Sequence, residues 1–285
     1  MGTQPSSETL RASLSAASLT LHGAAYGAAR ETSLTGLAAL RHFDDVFREA
    51  PAVENREIED AFKLRYQVYC LDRGFENAAA CPEGMERDRY DDQALHCLLR
   101  DRASARPLGT VRLVRPAAKP IWFADLPLTD YATQESLEHI VQLPAGSTAE
   151  VSRFAIARAA REILQAPGAV TARQIDRAAG QGTLGERLLP YMSLGLIRGL
   201  VRLSMQHGIT HWCLAAEPSL LRRLRGFGLH FRTAGPLVEH RGLRQICYAD
   251  LAGLLSRAHA ERPEFWDIIT VGGFLLSGDL ARAAA

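Results

Sequence analysis

Between residues 56 and 70 apolar positions recur at helical spacing. Ile58, Phe62, Tyr66 and Tyr69 share one face, with Glu57, Glu59, Asp60 and Lys63 between them, so this segment is the first well-marked helix. Two short apolar runs, Leu95–Arg100 and Leu108–Arg115, joined by a turn around Ser104, read as a β-hairpin. Ala149–Ala157 reads as a third strand. Ile209–Ala216 is nearly all apolar, which suits a strand buried on both faces. Leu188, Met192, Leu196, Leu200 and Leu203 predict a helix over 187–206, Pro218 starts a short helix ending at Gly226, and 235–249 supplies more strand. Strands alternating with helices define an α/β class with a mixed sheet. The polar stretch Asp72–Asp92, with Gly74, Pro82 and Gly84, is a long loop of the kind that carries function in compact domains. Residues 1–40, rich in Ser, Ala, Gly and Thr, read as a loosely ordered extension, and 41–285 as one domain with an apolar tail.

Composition narrows the class. At 47% hydrophobic and 23% charged, the 285 residues suit a soluble globular fold and not general disorder. A net charge of +1, with few aromatics among the arginines, disfavours a nucleic-acid-binding module. The charge is unevenly divided: residues 41–101 hold 15 acids and 9 bases, whereas 150–245 hold 14 bases and 6 acids. Either the two halves complement each other across the fold, or an anionic partner docks on the basic half. Five scattered cysteines, none with a His or Cys partner at metal spacing, read as reduced thiols of a cytoplasmic protein with no metal site. No apolar run reaches the length of a membrane span, and the tail 265–276 either packs as core or touches a membrane peripherally.

Three polar clusters sit where propensity alone does not put them: Glu86-Arg-Asp-Arg-Tyr-Asp-Asp92 in the long loop, Gly109-Thr-Val-Arg-Leu-Val114 with Arg112 in mid-strand, and Glu150-Val-Ser-Arg-Phe154 inside an apolar strand. Charges in central strands are costly unless paired, so Arg112, Glu150 and Arg153 are expected to meet Asp88 or Asp91 in one ionic network. Such a network is either purely structural or catalytic. Strand positions three apart point to opposite faces, so Glu150 and Arg153 can share a cleft only if the strand is bulged, and a bulge is predicted near Ser152.

Leu64-Arg-Tyr-Gln-Val-Tyr69, Gly84-Met-Glu-Arg-Asp-Arg-Tyr-Asp91, Gly109-Thr-Val-Arg-Leu113 and Glu150-Val-Ser-Arg-Phe154 resemble, in order and spacing, the motif series of acyl-homoserine-lactone synthases. Further on, Glu217-Pro-Ser-Leu-Leu221, Gly235-Pro-Leu-Val238, His240-Arg-Gly-Leu-Arg-Gln245 and Arg262-Pro-Glu-Phe-Trp266 look more like the exosortase/PEP-CTERM-associated branch of N-acyl amino acid synthases. The resemblance implies a GNAT-like acyltransferase fold, with a mostly antiparallel twisted sheet flanked by helices. It also implies transfer of a long-chain fatty acyl group from the phosphopantetheine thioester of acyl carrier protein, or of CoA, to the amine of an amino acid, without metal or redox cofactor. Carried over by motif, Glu150, Arg112 and Arg153 are the catalytic positions, and Arg65, Asp88, Asp91, Ser152 and Phe154 lie on the substrate side. Glu150 is the candidate base for the acceptor ammonium, a backbone N–H freed by the bulge the candidate oxyanion donor, and Arg112 or Arg153 the candidate ligand of an acceptor carboxylate. Alternatively these arginines only hold the acids in place. Arg198, Arg202, Arg222 and Arg223, on or beside helices of the basic half, are candidates for carrier docking. Arg177-Ala-Ala-Gly-Gln-Gly182 is either a pyrophosphate-cradling loop or an ordinary Gly-rich turn. The homoserine-lactone enzymes usually carry Trp in the loop after the first helix, where the nearest aromatic here is Phe75, which counts against S-adenosylmethionine as acceptor. The remaining alternatives are acyl-homoserine-lactone synthesis and a non-catalytic acyl-carrier or lipid-binding module.

Overall fold

A computed structural model of the chain describes residues 43–81, 83–116, 121–158, 160 and 184–277. The extension 1–40 and the Gly-rich loop Arg177–Gly182 lie outside these residues. Seven strands form one sheet in the order β1-β2-β3-β4-β5-β7-β6. They are β1 (Phe47–Ala52), β2 (Ala94–Asp101), β3 (Pro107–Val114), β4 (Thr148–Ile156), β5 (His211–Ala216), β6 (Arg232–Glu239) and β7 (Leu243–Asp250). Every neighbouring pair is antiparallel except β4 and β5, which run parallel. The predicted hairpin is β2–β3, its turn closed by the Ser104 amide and hydroxyl, which donate to Asp101 Oδ2 at 2.8 and 2.6 Å.

Helices cover both faces. Side chains alternate along a strand, so adjacent residues of β2 mark the two sides. His96 meets the Phe62 ring of α1 (Asn55–Arg65) edge-on at 5.5 Å, while Cys97 points at α3 (Leu184–His207). A Cβ at Gly199 would overlap Cys97 Sγ, and one at Gly195 would lie 2.6 Å from Leu99 Cδ1. These two glycines, one turn apart, let α3 lie directly on β2. A short helix, α2 (Gln134–Ile140), is capped by Thr133 and was not foreseen from sequence. Beyond β5 come α4 (Pro218–Gly226), α5 (Leu251–Glu261) and α6 (Pro263–Thr270). Leu254, Leu255, Ile268, Ile269 and Leu275 are buried in the main core, so the apolar tail packs as core. No helix among the described residues is long and apolar enough to cross a membrane.

Two irregularities place the site. The helix predicted over 56–70 is α-helical only to Arg65 and continues as a π-helical segment, Tyr66–Asp72. Its apolar spacing hides the change, and such segments frequently mark functional positions. In β4, Arg112 is opposite Ser152 and Thr110 opposite Ala155, so Arg153 and Phe154 together face the single residue Val111. This is the bulge expected near Ser152. Arg153 adopts φ +51°, a left-handed conformation that costs a non-glycine residue energy.

Candidate active site

Strands β4 and β5 pair only at their first three residues, Thr148–Glu150 against His211–Cys213. Beyond Glu150 the two parallel strands separate. A cavity of about 1040 Å³ opens between them, lined by Val151–Arg158 on one side and Leu214–Glu217 on the other. Part of its lining is apolar and belongs to or packs on the main core, with Ile197 and Leu200 of α3, Trp212, Leu214, Leu224 and Phe231. Another part is polar, with Glu76, Asp88, Asp130, Tyr131, Glu150 and His240.

Cross-strand partners share a face, so His96, Arg112 and Ser152 lie together on the α1 side, and Glu150, two residues from Ser152, lies with them. By strand parity Arg153 belongs on the opposite side, and the bulge brings it round. An ionic network results, buried at Arg65, Arg112, Glu86 and Asp91 and reaching the surface at Arg241. Arg65, at the last turn of α1, donates to Glu86 Oε2 at 2.5 Å and to both oxygens of Asp91 at 2.6 and 3.1 Å. Arg112 donates to Ser152 Oγ at 2.9 Å, to Asp88 at 2.7 and 2.8 Å and to Asp91 at 2.6 Å. Arg153 reaches Glu86 at 2.8 Å, Asp88 at 2.9 Å and Glu76 at 3.4 Å, and Arg241 grips Glu76 at 2.6 and 2.7 Å. Four guanidiniums thus meet four carboxylates, and the network is neutral.

The acids titrate accordingly. Burial alone would raise Glu86, Asp88 and Asp91, but the adjoining guanidiniums override it and hold all three below the usual carboxylate range. His96, 3.8 Å from Asp91, is pushed down to about 4 by burial, against the pull of Asp91, and is a neutral ring. Glu150 differs from the other acids. It is 1% exposed, accepts the Leu128 amide at 2.8 Å and forms no ion pair among the described residues. Burial pushes its carboxyl up to about 8, opposed only by that amide and by the charges of Arg112 and Arg153. The structure therefore brings Arg65, Asp88, Asp91, Arg112, Ser152 and Arg153 together as the sequence suggested, but leaves Glu150 outside the ion pairs it was expected to join.

The two candidate ligands for an acceptor carboxylate are not equivalent. Both terminal nitrogens of Arg112 serve Asp88 and Asp91, and the residue is fully buried. In Arg153, Nη2 and Nε hold acids, while Nη1 has no partner among the described residues and the side chain lines the cavity. Phe154 also lines it. The docking candidates divide as well. Arg198 is 8% exposed and donates to Glu49 at 2.9 Å and Asp44 at 2.7 Å, and Arg202 holds Glu49 at 2.7 Å. Carboxylates from β1 and the segment before it neutralise both, which removes them from a docking patch and corrects that expectation. Arg222 and Arg223 are exposed on α4 with no ion pair among the described residues.

Several residues of the cavity or its ionic network were not singled out from sequence as site residues: Glu76, Tyr131, Arg241 and Arg244, which line the cavity, and Glu86, which is buried in the network. Glu86 stands inside the Gly84–Asp91 motif, and Arg241 and Arg244 inside the His240–Gln245 motif, so a motif signal existed for these three. Tyr131 stacks on His240 with ring centroids 3.9 Å apart, and burial, then the nearness of Glu150, raises its phenol. Phe75 lies beneath the guanidiniums of Arg73 and Arg244, each 5.8 Å from its ring centre.

A sheet opened between parallel β4 and β5 beside a β4 bulge is the architecture of the GNAT acyltransferase fold. Residues 64–165 match the family model described as the acetyltransferase (GNAT) domain. Among solved structures, TofI in a ternary complex with an inhibitor and MTA is 19% identical, over 76% of this chain and 99% of that one, with a TM-score of 0.50. FeeM, an N-acyl amino acid synthase from uncultured soil microbes, is 13% identical over 74% of this chain and 94% of its own, with a TM-score of 0.48. The CoA-dependent acyl-homoserine lactone synthase BjaI, with SAM and isopentyl-CoA, is 17% identical over 82% and 91%, with a TM-score of 0.47. At 19% identity the likeness to TofI is one of fold. No curated protein matches the chain in sequence.

Proposed function

We propose that the protein is an N-acyltransferase that moves a fatty acyl group from a phosphopantetheine thioester, on acyl carrier protein or CoA, to the amine of an amino acid. The observation that carries this reading is Glu150, a buried carboxyl pushed up to about 8, with no ion pair among the described residues, beside a neutral network at the point where β4 and β5 separate. A base works best with a pKa near the working pH and contributes about 10²–10⁴-fold. Ionised Glu150 takes a proton from the acceptor ammonium, and the freed amine attacks the thioester carbonyl. The tetrahedral oxyanion accepts a hydrogen bond from an amide of the bulge. The attack forms the C–N bond, and collapse of the intermediate breaks the C–S bond. The expelled pantetheine thiolate takes the proton held by Glu150. The nitrogen, acidified by the attack, loses its second proton to the ionised carboxylate and from there to solvent. Arg153 Nη1 supports a carboxylate-bearing acceptor, because guanidinium binds carboxylate in a fixed geometry.

A volume of about 1040 Å³ exceeds the ~300–1,000 Å³ of most single-ligand sites, which suits two substrates, and the apolar part of its lining suits a long acyl chain. The C-terminal motifs that set the chain apart from homoserine-lactone enzymes contribute Glu217, His240, Arg241 and Arg244 to the cavity, which supports the N-acyl amino acid branch. Incubation with palmitoyl carrier protein and with palmitoyl-CoA, each with pooled amino acids, tests the reading by mass spectrometry. An N-palmitoyl amino acid is expected. Product only when S-adenosylmethionine is added would move the reaction to lactone synthesis, and binding without product would leave a carrier- or lipid-binding module.

A further inference from the structure

After the π-helical segment Tyr66–Asp72 the chain folds back on itself. The amides of Phe75 and Glu76 both donate to the Tyr69 carbonyl, at 2.7 and 3.1 Å. A short 3₁₀ turn, Ala78–Ala80, follows, and the Cys81 amide closes it by donating to the Ala78 carbonyl at 3.1 Å. The return brings two of the five cysteines together. The Cys70 sulfur lies within hydrogen-bonding reach of Cys81, and burial, then the nearness of that second sulfur, pushes the Cys70 thiol up to about 11. The pair is asymmetric. Cys70 is 7% exposed, whereas Cys81 is the one cysteine of the five that is not buried. Cys97, Cys213 and Cys247 are sealed in the cores.

The loop bracketed by Cys70 and Cys81 is part of the cavity wall, which it lines with Asp72, Arg73, Phe75 and Glu76. Glu76 reaches Arg153 of the β4 bulge at 3.4 Å and Arg241, on the turn between β6 and β7, at 2.6 Å. Gly74 takes φ +63°, and a Cβ there would meet nothing within 4 Å, so the loop has room for the small shift that a covalent bond needs. We propose that Cys81 and Cys70 form an oxidation site, a dithiol that a hydroperoxide converts to a disulfide clasping this loop. The accessible Cys81 sulfur, as thiolate, attacks hydrogen peroxide, the O–O bond breaks, and a sulfenic acid and one water result. The Cys70 sulfur then displaces the sulfenic hydroxyl, which leaves with the Cys70 proton as a second water, and the S–S bond forms. Two electrons pass from the sulfurs to the peroxide. A thiol held protonated does not compete for the oxidant, which suits Cys70 to the resolving role. The inference is independent of the acyl-transfer reading, because the bond is read without turnover.

Trypsin cuts after Arg65, Arg73 and Arg87, which places Cys70 in the peptide Tyr66–Arg73 and Cys81 in Gly74–Arg87. The full chain is treated with hydrogen peroxide, blocked with N-ethylmaleimide, digested and read by mass spectrometry. The two peptides should appear joined, lighter than their sum by two hydrogens, and should separate after dithiothreitol. Cys70→Ser should abolish the joined pair and raise the yield of sulfinic acid at Cys81 about 10-fold, since no thiol then intercepts the sulfenic acid. Closing the loop restricts the unfolded chain, so the oxidised parent should melt about 5 °C higher than the reduced one, a gain that Cys70→Ser lacks. Absence of the joined peptides, sulfinic acid formed equally in parent and variant, or a bridge from either cysteine to Cys97, Cys213 or Cys247 would overturn the proposal. Joined peptides without any rise in melting temperature would refute the clasp.

Discussion

Arg153, three residues along β4 from Glu150, gives its guanidinium to Glu86 at 2.8 Å and leaves Glu150 to the amide of Leu128. That separation keeps Glu150 out of the network and its carboxyl high. Glu150→Gln should therefore lower turnover at least about 100-fold with the fold intact. In the parent protein the rate should rise with pH along a limb centred near 8, and the residual rate of the variant should lack that limb. Stability moves in the opposite sense. The folded state favours neutral Glu150, so its contribution is complete below the ordinary value of 4.5 and is lost as pH climbs to about 8. Thermal unfolding of the two proteins across this window measures the difference.

Arg153→Lys keeps a charge at the bulge but loses the planar fork and the Nη1 donors, which have no partner among the described residues. The expected result is a rise of about 10-fold or more in the KM for the amino acid, the worth of one charge-assisted bond, with the KM for the donor unchanged. Steady-state kinetics varying each substrate in turn distinguish this from general disruption, which would move both.

The acids Glu86, Asp88 and Asp91, held low by guanidiniums, stabilise the fold fully above the ordinary carboxylate range. That stability is lost as pH falls through the range, because protonation strands the arginines. Melting temperature should drop steeply below about pH 4, and Asp91→Asn should make the drop shallower while lowering stability at pH 7. Arg65→Met leaves Asp91 and Glu86 buried without their nearest cation and should cost about 3–5 kcal/mol in urea unfolding at pH 7.

Gly199→Ala adds a methyl where Cys97 Sγ already lies. Alanine favours a helix interior by about 1 kcal/mol over glycine, but overpacking costs about 1–3 kcal/mol. With β2 fixed by ladders to β1 and β3 the variant should be destabilised. Cys97→Ala in the same chain should restore much of the loss, read by urea midpoints.

Local pattern made much of the fold legible. The apolar run 209–216, the proline at 218 and the glycine at 226 delimit β5 and α4 closely, because each depends on neighbours in sequence. The bulge was also legible, since Glu150 and Arg153 have the wrong parity for one cleft. The identity of ion partners was not. Arg153 and Glu86 are 67 residues apart, Arg241 and Glu76 are 165, and Arg198 and Glu49 are 149. Helical spacing places Arg198 on α3 without saying that Glu49 of β1 lies beneath it, so a buried pair and a free surface charge look alike in sequence. The π-helical segment was hidden because Tyr66 and Tyr69 keep an apolar rhythm through it.

The balance of four cations and four anions around Asp88 has a kinetic corollary. Charges sealed inside protein are scarcely shielded by dissolved ions, whereas those at a solvent-facing rim are shielded within about 10 Å at 0.1 M. Added salt will therefore leave the interior of the cleft as it is and act on the arginines at its entrance. Under the proposed reaction, ionic strength should therefore slow capture of the donor at that entrance without altering the step that follows.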